Sequence, residues 1–158
     1  MNGTTLRARR LLGWGPAFVS TGTEEDVGQD IAFADGDIAL VSGMDALTQD
    51  LRLALCTGLG TDPLNQAFGS DAFAAMFEES DPMMLRERIR VAVIRVLQSD
   101  ARIRRIVEVS IDGESRPFAG PSGAGSAAER TTALSVVAVF ETVLGEYATI
   151  AIEGLPNA

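Results

Sequence analysis

The sequence predicts an α+β domain in which two main helices pack on a small antiparallel sheet that ends in a C-terminal β-hairpin. Three observations lead there. Met44, Leu47, Leu51, Ala54 and Leu55 recur at three- and four-residue spacings, as do Leu85, Ile89, Ala92, Val93, Val96 and Leu97, so each segment carries the apolar stripe of a helix. Val107, Val109 and Ile111 alternate with Glu108 and Ser110, the period of a half-buried strand. Thr131 to Val143 carries apolar residues on both faces, and Gly145-Glu146 then suits a two-residue type II′ turn into a last strand, Tyr147 to Ile152.

Taken in order, residues 1–35 hold scattered glycines, Pro16 and the acidic run Glu24-Glu25-Asp26, which reads as an extended N-terminal arm with little regular structure. Residues 36–158 then form one domain. Ile38 to Val41 is a short strand or extended lead-in, and Ser42-Gly-Met-Asp45 matches a capping signature, with Ser42 as the cap of the first main helix. Gly58 and Gly60 end that helix, and 61–70 is a loop before a helical turn at 71–77. Asp81-Pro82 starts the second main helix, with an N-cap followed by proline where its missing donor costs nothing. Besides its core stripe, that helix carries Met84, Val91 and Ile94 among Arg88, Arg95 and Gln98, a strip lying either under the loop before it or against a partner. Asp112-Gly113 is expected to turn the chain, and 114–130, rich in glycine and small residues, to be a flexible loop.

Composition narrows the function. A chain of 158 residues buries roughly two-thirds of its unfolded surface as a single domain and needs no staple. There is no histidine and one cysteine, Cys56, which excludes Ser-His-Asp and Cys-His catalysis, imidazole zinc sites and an internal disulfide. The start carries Arg7, Arg9 and Arg10, but Gly13-Trp14-Gly15-Pro16 interrupts any secretory apolar core, so a cytoplasmic product is expected. No stretch approaches the roughly 18 apolar residues of a membrane span. Net charge is −9, the wrong sign for gripping nucleic acid through its phosphates. The cations are all arginine, which codon bias or a preference for bidentate carboxylate pairing would each produce. Seven of them fall between Arg86 and Arg105, so that window is +5 and the remainder −14.

No phosphate loop exists without lysine, and Asp35-Gly36-Asp37 reads as a turn rather than a metal site. No cofactor or metal is implied. Glycoside hydrolysis needs a carboxyl of raised pKa opposite a second carboxylate. Asp100, Asp50 and Glu108 show no pairing in the sequence, and the arginines around Asp100 lower its pKa instead.

Gly36-Asp37-Ile38-Ala39-Leu40-Val41, Gly43, Leu47, Gln49-Asp50-Leu51, Leu55, Thr57, Gly60, Phe68-Gly69 and Ser99-Asp100-Ala101-Arg102-Ile103 resemble, in order and spacing, the small baseplate wedge proteins of contractile phage tails, contractile injection systems and type VI secretion, a family often labelled lysozyme-like. The family's usual Glu-Pro-Arg stands here as Asp100-Ala101-Arg102, keeping both charges and losing the proline. The resemblance implies a structural adaptor, in six copies, that binds larger wedge proteins on one side and the first ring of sheath subunits on the other and is carried into the finished particle. It implies no catalytic residue. It also implies that Asp100 and Arg102 meet a neighbour, and the arginine-rich band from Arg86 to Arg105, with Arg88, Arg95, Arg104 and Arg105, is expected on its charge to meet an acidic one. An internal salt bridge or a capping role is the alternative for this acid and arginine. On the contact reading, Arg102→Ala leaves the domain folded and blocks assembly. The C-terminal sheet is either a core hairpin or a border to which sheath arms add by main-chain hydrogen bonds. A peptidoglycan-degrading enzyme and a regulatory binding module on the same fold are the other classes.

Overall fold

The structure, a computed structural model, describes residues 3–20, 29–114 and 133–155. The chain runs through α1 (Gly3–Leu12), six short strands β1 (Trp14–Pro16), β2 (Phe18–Ser20), β3 (Gln29–Ile31), β4 (Phe33–Ala34), β5 (Asp37–Ile38) and β6 (Leu40–Ser42), then α2 (Met44–Cys56), α3 (Ala72–Glu78), α4 (Pro82–Ser99) and the long strands β7 (Ile103–Glu114), β8 (Ala133–Thr142) and β9 (Tyr147–Leu155). The α+β class is as the sequence predicts: β7, β8 and β9 form an antiparallel sheet in that order, and the helices close one face of it.

The core is made where the two helical stripes meet that sheet. Leu47, Leu51 and Leu55 of α2 and all six stripe residues of α4 are buried, facing Leu134, Val136, Ala138 and Phe140 of β8, Ile111 of β7 and Ile150 of β9. α4 starts as its local chemistry dictates. The Asp81 carboxylate accepts from the amides of Met83 at 2.7 Å and Met84 at 3.3 Å. Asp81→Ala should therefore lower stability by about 1 kcal/mol in a denaturant titration, with the unfolding slope unchanged. Met84 and Val91 remain exposed beside Asp71, so the preceding loop reaches the rim of the second apolar strip without covering it.

Four expectations are corrected. Among the described residues of 1–35 the chain is not an extended arm with little regular structure: 3–12 form a helix, and the strands after it pair as β1 with β6, β2 with β3 and β4 with β5. A ten-residue helix is too short to stand alone in water. It is held by tertiary anchorage, with Leu12 fully buried. Ser42 does not cap α2; it ends β6 opposite Trp14, and Gly43 takes the cap position with no side-chain bond. Asp112-Gly113 does not turn the chain, because β7 continues to Glu114 paired against Ala133 to Ser135. The remainder of the expected flexible loop, 115–130, lies outside the described residues.

The fourth correction concerns phase and turn. β7 has a bulge, in which Ile106 opposes Phe140 and Glu108 opposes Val139, leaving Val107 as the extra residue. The period-2 reading put Val107 on the core face, whereas the bulge turns it outward at 50% exposure and sends Ile106 to the core instead. The β8–β9 hairpin likewise closes through three residues rather than two. The Gly145 amide bonds the Thr142 carbonyl at 2.9 Å and the Thr142 amide bonds the Glu146 carbonyl at 2.9 Å, with Gly145 at φ 80°. That is a turn followed by a left-handed glycine.

Candidate functional site: the Arg102 node

α4 stops at Ser99, and Asp100 leaves the helix in an extended conformation. Its carboxylate then accepts the Arg102 amide at 2.9 Å, and its carbonyl accepts the Ile103 amide at 3.0 Å, a tight connection built by an aspartate that needs no proline. This folds the Arg102 side chain back onto the same carboxylate. Nε donates to Oδ1 at 2.9 Å and Nη2 to Oδ2 at 2.6 Å, a two-pronged contact. Nη1 reaches away from the turn, donating to Asp50 Oδ2 of α2 at 2.8 Å and to the Leu12 carbonyl at the end of α1 at 2.9 Å.

Four of the five guanidinium N–H groups are thus engaged by three separate elements. The cation also sits at the negative end of α1, where a positive charge is favoured. Arg102 itself is tied down by the Val143 amide, which bonds its carbonyl at 2.9 Å from the β8–β9 turn. The electrostatics follow from this geometry. Burial pushes the Asp100 carboxyl up, but the side-chain and backbone hydrogen bonds from Arg102 outweigh it and hold the group below its ordinary value. The hydrogen bond to Asp100 raises Arg102 far above the ordinary arginine range, burial opposes this, and Asp50 adds to it.

A cleft of about 400 Å³ opens beside the node, lined by Asp50, Asp100 and Arg102 on one side and by Asn65, Phe68 and Gly69 of the 57–70 loop on the other. Its ionisable groups already bind one another. An Asp100 held ionised by Arg102 is the opposite of a general acid. Glu108, the third carboxylate considered from sequence, is exposed on β7 and does not line the cleft. Among the described residues no group of acids and cysteine is placed to hold a metal, and no helix is long and apolar enough to cross a membrane.

The six predicted contact residues do not form one ridge. Asp100 and Arg102 turn inward as described. Arg104 and Arg105 project from β7, both to Glu141 of β8 at 3.4 and 3.1 Å, and Arg105 also donates to the Tyr147 hydroxyl at 3.3 Å. Arg88 bonds Glu78 of α3 at 2.9 Å. That hydrogen bond raises its pKa, burial works slightly against it, and the neighbouring acids add to the rise. Arg95 is exposed beside Val91, two helical turns from Arg88, and makes no ion pair among the described residues. Helix phase puts 88 and 95 on one face, while the Asp100 turn rotates 102 off it. The correction concerns Asp100 and Arg102 above all: the internal salt bridge, held open from sequence as the alternative, is what their side chains make.

Sequence reasoning missed the role of Gln49. Its amide accepts from Phe18 N at 3.0 Å and donates to the Pro16 carbonyl at 2.8 Å, pinning the N-terminal strands to α2. Gln49 and Asp50 are neighbours in the stretch that carries the resemblance, and that was the signal available. A scan against protein-family models finds no match, and a search of curated proteins finds none either.

Proposed function

We propose that this chain is a structural baseplate wedge adaptor of a contractile tail or injection system, joining larger wedge proteins to the first sheath ring and templating the sheath. The observation that carries the reading is the sheet. β7 and β9 are border strands of twelve and nine residues, and each has one side without a strand partner among the described residues. An unpaired border of that length accepts an extended arm from another chain through main-chain hydrogen bonds. The outer face beside those borders leaves Val107, Val143 and Tyr147 exposed.

The positions that carry the family resemblance support the same reading. Leu47, Leu51 and Leu55 are core, Gln49 and Asp50 hold the N-terminal strands and Arg102, and Thr57 and Gly69 meet in the 57–70 loop. They form one connected scaffold. With Asp100 and Arg102 satisfied internally, contacts with neighbours fall to the strand borders and to Arg95, Arg104 and Arg105.

The test is to mix the purified chain with the sheath protein encoded beside its gene and count sheath tubes by electron microscopy. Tubes that start from the chain and become more numerous with its concentration are expected. Tube number independent of the chain, the absence of sheath and wedge genes from its neighbourhood, or clearing of a peptidoglycan suspension would each overturn the proposal, the last in favour of a hydrolase.

A further inference from the structure

The two borders of the three-stranded sheet are not equivalent. β7 is irregular along its first half, with register shifts between Ile103 and Arg105 and between Ile106 and Glu108, and Arg104, Arg105 and Glu108 are exposed there. Bulges and charged side chains are what keep a border strand from pairing with another chain. From Tyr147 to Ile152, β9 has neither. Over that stretch it stays in register with Glu141 to Val136, its register shift lies beyond Ile152, and no residue is charged.

The hairpin fixes which backbone groups face outward. The Thr142 amide donates to the Glu146 carbonyl at 2.9 Å, and this sets the parity of the ladder that follows. Ala148, Ile150 and Ile152 therefore turn their amides and carbonyls to β8, while Tyr147, Thr149 and Ala151 turn theirs to the open side. Side chains alternate in the same way. Ala148, Ile150 and Ile152 face the helices, with Ile150 at 1% exposure, and Tyr147, Thr149 and Ala151 are exposed on the outer face. Tyr147 leans back over β8, where its hydroxyl accepts from Arg105 of β7 at 3.3 Å, so its ring stands clear of the border.

What lies beneath the border decides what fits there. α2 packs against β9 and α4 against β7, so the helical layer reaches the outermost strands and buries Ile150 although no strand flanks it among the described residues. Neighbouring strands stand about 4.8 Å apart, whereas packed helices need about 8–10 Å between their axes. Two copies joined through β9 would crowd their α2 helices beneath the joint, which disfavours a second copy. A single extended strand with no helix of its own beneath it meets no such obstacle.

We infer, resting on the border pairing proposed above, that β9 rather than β7 is the receptive border, and that its occupant is an extended, uncharged arm of a partner chain that pairs along Tyr147 to Ile152. Such an arm alternates apolar with β-branched polar residues. Its apolar side chains fall beside Ala148 and Ile150 above α2, and its polar ones beside Thr149 and Ala151 on the outer face.

The experiment adds a blocked peptide of alternating valine and threonine to the full chain and follows amide hydrogen exchange residue by residue. A second peptide, N-methylated throughout, keeps the side chains and lacks the donors. Slowed exchange at Tyr147, Thr149 and Ala151 is expected with the first peptide alone. Thr149→Pro removes an outward donor and no ladder bond, so it should weaken binding about tenfold with the melting temperature retained. Should that variant unfold, Thr149→Lys, which puts a charge on the border, must still weaken binding. Protection of Val109 and Ile111 on β7 instead, or binding indifferent to both Thr149 variants, would overturn the choice of border and leave the baseplate reading standing. Protection of neither border would remove the pairing on which both rest. A dimer of the free chain in sedimentation that Thr149→Pro dissolves would assign β9 to a second copy and overturn the inference.

Discussion

Arg102→Ala should destabilise the folded domain by about 2–3 kcal/mol, because it leaves the Asp100 carboxylate, which is 16% exposed, without its counter-ion and strips the Leu12 carbonyl of its donor. The partial exposure of Asp50, at 51%, keeps the loss below that of a fully buried triad. Arg102→Lys should recover little, since an ammonium cannot span the carboxylate while also reaching α1 and α2. Arg104→Ala is the contrast, with a change within about 0.5 kcal/mol, because Arg104 is largely exposed and Arg105 remains on Glu141. Urea titrations of the three variants measure this. Equal stability of Arg102→Ala and the parent chain would return Arg102 to the role expected from sequence, a surface contact that assembly needs and folding does not.

The same node fixes a pH dependence. Asp100 has a folded-state pKa below its unfolded value, so its contribution is fully present above about pH 4 and is lost as pH falls through the lowered pKa. The stability gap between the parent chain and Arg102→Ala should therefore narrow as the solution is acidified below about pH 4. Arg102 has its pKa raised, so its own contribution is complete at every pH below the ordinary arginine range and adds no slope there.

What was legible in the sequence was whatever local spacing determines. The α4 stripe, its Asp81 cap and the inward face of β8 depend on residues within a few positions of one another, and each is found where the periodicity puts it. The bulge at Val107 was not legible, since one extra residue leaves an alternating pattern apparently intact while reversing its phase. The N-terminal third was hidden for a different reason. α1 sends Leu12 to the core and depends on a guanidinium 90 residues away, and the small strands are joined by main-chain bonds among alanines that carry no side-chain signal. The Arg102 node was half visible. Its Asp100 partner is two residues away and was weighed as a salt bridge, whereas Asp50 lies 52 residues off and sequence alone offered no pairing for it.

Gly69→Ala should cost more than its single methyl suggests, about 3–4 kcal/mol. Gly69 has φ 110°, beyond the left-handed well that alanine enters only at a penalty of about 1–2 kcal/mol. A Cβ built there would lie 2.8 Å from both the Thr57 and the Gly58 carbonyl oxygens, so backbone must move. Those atoms belong to the clasp that closes the 57–70 loop, in which Ser70 N donates to Thr57 O at 2.7 Å and Leu59 N to Ser70 O at 3.0 Å. Separating the two strands of chain loosens the buried Ser70, whose hydroxyl accepts the Ala72 amide at the start of α3, and with it the core contacts of Ala72, Ala75 and Met76. Gly36→Ala isolates the conformational part. Gly36 has φ 82° with nothing within 4 Å of the added carbon, so only strain of about 1 kcal/mol is expected. Thermal and urea unfolding of the pair decide the matter: if Gly69→Ala is no worse than Gly36→Ala, the clasp yields to the methyl group, and the wall that Phe68 and Gly69 give the cleft beside Arg102 is not held rigidly in place.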